Sequence, residues 1–170
     1  MLWPPSYLTA ATGGATLDVV RRYVEQQPAS SFPRTGRFPA WGVPMSAKRL
    51  IILLVNTDPR NGEELGAPFY HAMVAASMDY EVDVVCTATA GRLMRKGVAE
   101  SLRVKEGSDV SVHHFIAEAH KLGVRFWVCS ANLPLFDMTV DDLIPECRGV
   151  IGMAGVMRDI MEDACKVLTY

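Results

Sequence analysis

The chain has 170 residues, of which 49% are hydrophobic and 21% charged, and a formal net charge of −2. That length supports one ordinary domain with a proper core and is too short for two comfortable ones, and the composition is that of a folded globular protein. The small negative charge argues against a nucleic-acid binder, which needs a basic patch or stripe. No apolar run approaches the ~18 residues of a membrane helix.

Residues 1–46 differ from the rest. Prolines and glycines recur from Pro4 to Pro44, and only Ala15 to Gln27 could carry a helix. Composition of this kind reads as a flexible extension, with the working domain over 47–170. Leu2-Trp3-Pro4-Pro5 lacks both a basic segment and a continuous apolar core, so no secretory signal is read there and a cytoplasmic location is expected.

From Lys48 the pattern is regular. Arg49 to Val55 (RLIILLV) is a continuous apolar run, the mark of a strand covered on both faces. The turn-rich loop Asn56 to Gly62 follows, then a helix over Glu63 to Met78 and a second strand over Glu81 to Cys86. A short helical piece spans Gly91 to Gly97. Ser108 is the expected N-cap of a helix running to about Leu122. Val124 to Val128 reads as a third strand, Gly149 to Met153 as a fourth with a short helix to about Asp163 after it, and Lys166 to Tyr170 as an edge strand. Strand–helix alternation predicts an α/β fold: a three-layer domain with a mainly parallel sheet of four to five strands and right-handed crossovers.

Four cysteines, Cys86, Cys129, Cys147 and Cys165, form no C-x-x-C pair, which leaves neither a zinc ribbon nor a thioredoxin-type motif. Cys129 stands apart because it directly follows the third strand. In open α/β sheets chemistry collects at the carboxyl ends of the strands. A thiol there can meet a helix N-terminus or a cation, and either favours the reactive thiolate. Candidate cations are Arg60, Arg92, Arg95 and Lys96, all on segments leaving strand ends. Free cysteine is also among the most buried residue types, and on that ground Cys86, Cys147 and Cys165 read as packing residues.

The histidines offer little. His113 and His114 are adjacent on one helix, and His120 lies two turns from His113, too far for both to reach one metal. No base is placed for a Cys-His hydrolase. Gly149, Gly152 and Gly155 match neither phosphate-loop spacing, and are read instead as leaving open space beside the cysteine. No metal or cofactor is expected.

From Arg49 to Tyr170 the chain resembles the DsrE/DsrF-like sulfur-transfer proteins, which are small flavodoxin-like α/β domains. The resemblance rests on RLIILLVNTDPRNGEELGAPFYHAMVAASMDYEVDVV, on Arg95 to Glu100 with VKEGSD at 104–109, on GVRFWVCSANLPLFDM around Cys129, and on DDLIPE at 141–146. It implies that Cys129 accepts sulfane sulfur as a persulfide and passes it to another protein's thiol. It implies homo-oligomers such as trimers or hexamers, and partners that are small sulfur carriers of the TusA type or rhodaneses. Neither nucleic acid nor membrane is implied. Whether one of the other thiols resolves the persulfide is left open. The function expected is therefore a cytosolic sulfur carrier or sulfurtransferase. The alternative is a non-catalytic oligomeric binding module in which Cys129 only lines a site, and the missing base and missing C-x-x-C weigh against a hydrolase or redox protein.

Overall fold

The computed structural model describes residues 49–170 apart from Asn56 and Pro59. The extension over 1–46 and the helix read within it lie outside the described residues. Five strands form one sheet among them: β1 (Arg49–Leu54), β2 (Glu81–Cys86), β3 (Arg125–Cys129), β4 (Cys147–Ile151) and β5 (Cys165–Thr169). Their order is β4-β3-β2-β1-β5 and every pairing is parallel. The fold is α/β, as the alternation of strands and helices predicts, and the last segment is indeed an edge strand.

The path explains the layers. From β1 to β4 each strand lies next to its predecessor, and the connections run over one face. These carry α1 (Gly66–Ser77), the single turn α2 (Val98–Ser101), α3 (Val112–Lys121) and the single turn α4 (Asn132–Leu135). The chain then crosses the opposite face through α5 (Met153–Ile160) to reach β5 beside β1.

Alternation along parallel strands sorts the side chains. Ile52, Val84 and Phe126 face α1 and α3, where Phe69 and Ile116 complete a large apolar cluster. Phe69 and Phe126 meet with ring centroids 6.0 Å apart. Ile51, Val85 and Cys165 face the other way and form a much smaller cluster with Val156 of α5. Val156 is the one buried residue of that eight-residue helix, so the described residues cover the second face thinly.

Several boundaries differ from the sequence reading: the first α-helix begins at Gly66 rather than Glu63, after a 3-10 turn over Gly62–Leu65, and the helical piece read over Gly91–Gly97 lies at Ala88–Met94. The helix expected from Ser108 begins at Val112, because Ser111 is its cap and accepts a hydrogen bond from the His114 N–H; Ser108 accepts instead from Val110 N in the preceding turn. Replacing Ser111 with Ala should cost about 1 kcal/mol, read as a lower urea midpoint at unchanged slope, and Ser108→Ala should cost less. The fourth strand starts at Cys147 rather than Gly149. A bulge at Arg148 lets Phe126 pair with Cys147 and Trp127 with Gly149, so the pattern of alternation is broken where the strand begins. Among the described residues no helix is long and apolar enough to cross a membrane.

Candidate functional site at the carboxyl ends of β3 and β4

Strand β3 ends in Cys129, which pairs with Ile151, the last residue of β4. The two chains leave in opposite directions. After β3 the chain turns onto the large-cluster face, where Leu133, Phe136 and Met138 pack. After β4 it turns onto the thin face, where Val156 packs. Adjacent strands whose outgoing chains diverge in this way create the crevice where open α/β sheets place their ligands. Cys129 is therefore the residue at the topological switch point. Gly149, Gly152 and Gly155 border the same place, and a Cβ built on any of them meets no atom within 4 Å.

The thiol itself is not open. Cys129 is 5% exposed, although it belongs to neither apolar cluster. An exposed thiol is the simplest expectation for sulfur transfer, and the structure corrects it: the residue lies at the rim but under cover. Alternation puts its side chain on the thin face with Trp127 and Ile151. The helix α5 starts only two residues beyond Ile151, and its first bonded turn is Gly155 and Val156 N–H to the Gly152 carbonyl. The positive end of that helix thus lies along the strand that flanks Cys129.

The candidate cations are mostly engaged elsewhere. Arg60 forks onto the Asp58 carboxylate, with Nη2 to Oδ2 at 2.8 Å. That bond, more than any other cause, holds the Asp58 pKa down to about 2. Lys96 donates from Nζ to the Asp141 carbonyl at 2.6 Å, and the backbone of Arg95 forms an isolated antiparallel bridge with Leu143. Arg92 stacks on Phe136, 5.6 Å from the ring centroid, on the chain that follows Cys129. Of the four, Arg92 alone is tied to the segment carrying the thiol.

The other cysteines do not share this arrangement. Cys86 pairs with Val128, one residue before Cys129, and so faces the large cluster on the opposite side of the sheet. Burial, with a smaller effect of nearby Cys147, raises its thiol pKa far above the ordinary range. Cys147 and Cys165 stand at the amino ends of β4 and β5, the other end of the sheet from Cys129. A disulfide needs Cα atoms within about 7 Å and Cβ vectors that do not point apart; Cys86 fails on direction, facing the other side of the sheet, and Cys147 and Cys165 stand at the other end of it. His113 pairs with Glu146 at 3.2 Å, and no group of three ligating side chains among the described residues could hold a metal ion.

Two residues of the site carried no signal in the sequence reading. Asn132, in the loop after β3, is 1% exposed and donates from Nδ2 to the Ala88 carbonyl in the loop after β2. Gly91 packs against it so closely that an added Cβ would lie 2.0 Å from Nδ2. Ala88 itself has φ +47°, the left-handed region that a non-glycine residue adopts only under constraint. At the other end of the loop Ser130 N–H donates to the Ile151 carbonyl at 2.9 Å. The four residues from Cys129 to Asn132 are thus pinned at both ends. A lone asparagine after a strand has no periodicity or spacing to mark it.

The family model for DsrE/DsrF-like proteins matches residues 49–170, which is the entire described domain. The chain belongs to the DsrE/DsrF-like family. A search of solved structures agrees on the fold. One match is the structure of a protein of unknown function from Methanobacterium thermoautotrophicum, 18% identical, with TM-score 0.52 over 72% of this chain and 98% of that one. No curated protein matches. In this DsrE/DsrF-like chain the stretch that carried the resemblance around Cys129 is the β3 end and the pinned loop after it.

Proposed function

We propose that this DsrE/DsrF-like protein is a sulfur carrier that holds sulfane sulfur as a persulfide on Cys129 and passes it to a protein thiol. The observation that carries the reading is the place of that thiol: at the switch point, on the last residue of β3 and beside the strand from which α5 starts. The chemistry is displacement at sulfur. The Cys129 thiolate attacks the outer sulfur of a donor persulfide, the donor S–S bond breaks, and the donor leaves as a thiolate that takes a proton from water. An acceptor thiolate then attacks the outer sulfur on Cys129, which leaves in turn. Sulfur changes hands with no net oxidation, and no metal is needed.

Because no other thiol of the domain can reach Cys129, the acceptor in this reading is another protein. Small sulfur carriers of the TusA type and rhodaneses are partners of suitable chemistry. A cytoplasmic, reducing compartment suits four free cysteines. Homo-oligomerisation as a trimer or hexamer is part of the proposal. Ala154, Met157 and Met161 are exposed on the outer side of α5, and Met161 is 77% exposed. A helix apolar on both sides fits an assembly that covers the second.

The 5% exposure of Cys129 favours a second reading, a non-catalytic binding module in which the residue only lines the crevice. Intact mass after incubation with glutathione persulfide separates the two. The carrier reading expects one added sulfur per chain, lost again when an acceptor thiol is supplied; no uptake over a range of donors would favour the binding module.

A further inference from the structure

We propose that the outer edge of β5 is a twofold contact between copies of this chain: two β5 strands pair antiparallel, with Leu168 opposite Leu168 of the second copy, and the two five-stranded sheets become continuous. The sheet has two outer edges, and they are built differently. The β4 edge is blunted by a bulge at Arg148, with Gly149 beyond it at φ +149°. Bulges of this kind keep an edge from pairing further. β5 has no bulge and pairs with β1 in unbroken register from Cys165 to Thr169. Tyr170 N–H donates to the Leu53 carbonyl at 3.0 Å, and the Tyr170 carbonyl accepts from Val55 N–H at 2.7 Å. Both backbone groups of Tyr170 therefore point to β1. By strand alternation those of Lys166 and Leu168 do too, and those of Val167 and Thr169 point away from the sheet. The N–H and C=O groups of these two residues have no strand partner among the described residues.

Three features select a second copy as the occupant. An antiparallel pair centred on Leu168 sets Val167 opposite Thr169 of the second copy as a hydrogen-bonded pair, twice by symmetry, and so satisfies every outward group of both residues. The same register puts Leu168, 41% exposed although it lies inside a strand, against its own copy at a narrow pair, where side chains come closest. The charge pattern agrees. Lys166 is the single charged residue of β5, and it comes opposite Tyr170 of the second copy, so like charges do not meet across the axis. Tyr170 is steadied for this contact by α1, because its hydroxyl bonds His71 Nδ1 and the two ring centroids are 5.8 Å apart. A twofold contact requires self-complementarity of this kind, and a hexamer built from two trimers needs one such contact beside its threefold one.

Light scattering on the full chain during size exclusion tests the contact. Wild type is expected as an even number of chains. Leu168→Lys and Leu168→Glu, at an exposed position that the folded chain tolerates, should each halve the mass by setting like charges face to face. An equimolar mixture of the two should restore it, because residue 168 meets itself across the axis. Thr169→Pro removes an outward N–H at an edge, where proline is tolerated, and should also halve the mass. Val150→Lys, at a position 37% exposed on the blunted edge, should leave it unchanged. Amide exchange at Val167 and Thr169 should be about tenfold slower in wild type than in Leu168→Lys, with the β2 amides equally protected in both. A monomeric or trimeric wild type, an unchanged mass in the Leu168 variants, or a mixture that stays at half mass overturns the proposal. Slow exchange at Val167 in a monomer overturns it too, since another segment of the same chain would then lie on the edge. Mass is read without a sulfur donor, so this contact stands or falls separately from the carrier reading.

Discussion

A Cys129→Ser chain is expected to take up no sulfane sulfur, whereas Cys86→Ser, Cys147→Ser and Cys165→Ser should each load about one sulfur per chain, as wild type does. The contrast follows from where the four thiols sit. The attacking species is the thiolate, and an ordinary thiol with pKa about 8.5 is ionised to a few per cent at neutral pH. Burial raises Cys86 far beyond that range, and its side chain has no exposed surface. Burial also raises Cys147, with partial relief from the backbone of Gly149 and Val128, and raises Cys165. Both lie at the amino end of the sheet, away from the crevice. Cys129 alone combines the carboxyl end of a strand, the switch point and an adjoining helix start. Intact mass of the five proteins after exposure to glutathione persulfide checks the expectation. Equal loading of wild type and Cys129→Ser would remove the carrier function from this residue.

Substituting Asp83 should give the largest loss of stability on the thin face. Its carboxylate, 3% exposed, accepts from Arg125 Nε and Nη2 at 2.7 Å each, from Arg49 Nε at 2.8 Å and from Trp127 Nε1 at 2.8 Å. Arg49 goes on to Asp159 of α5 at 2.9 Å. One charge thus joins β1, β2 and β3 and, through Arg49, the one helix on that face among the described residues. Breaking a buried pair costs about 3–5 kcal/mol. Both guanidinium groups are about 30% exposed and partly screened by water, so a smaller loss than that range, about 2–4 kcal/mol, is expected for Asp83→Ala. The loss should appear as a lower urea midpoint. Removing the carboxylate also frees the Trp127 ring, two residues before Cys129, so stability and the setting of the thiol are linked through β3.

The same carboxylate predicts a pH dependence. Burial alone would raise the Asp83 pKa, but the bonds from Arg125, Trp127 and Arg49 outweigh it and hold the pKa below 3.8. A carboxyl whose folded pKa is depressed binds fewer protons folded than unfolded near its ordinary pKa. Its contribution is complete above that value and is lost as pH falls through the folded pKa. The gap in Tm between wild type and Asp83→Asn should therefore be constant from neutral pH to about pH 5 and narrow below about pH 4. A gap that persists unchanged at the acid end would mean that the asparagine is disfavoured for its shape, and not for its lost charge.

The strands and helices were legible because they are local. The run Arg49 to Val55 is apolar on both sides, since it lies inside the sheet between β2 and β5 and packs on both faces. The strands Val82 to Cys86 and Phe126 to Cys129 repeat the pattern, and the glycine-bounded helices between them carry their inward stripe. Cap positions were less so: Ser108 and Ser111 are equivalent as sequence, and only the path of the chain into α3 decides which one meets a free N–H. Asp83 gave no warning either. An aspartate among valines in β2 looks like an exposed position of an edge, yet it is buried because two arginines from flanking strands converge on it.

What the amino-acid order by itself determined is the α/β class, the strand that ends in Cys129 and the family to which 49–170 belongs, because apolar periodicity and local motifs are properties of neighbouring residues. Only the tertiary structure decided that the sheet runs β4-β3-β2-β1-β5, which puts the switch point between β3 and β4 and Cys129 within it. It likewise decided that the thiol is covered, that Cys86 faces the other way, and that Asn132 reaches Ala88 across 44 positions of chain. Those facts depend on which strands become neighbours and on which face each connection crosses, and long-range pairing of that kind leaves no mark in the spacing of residues along the chain.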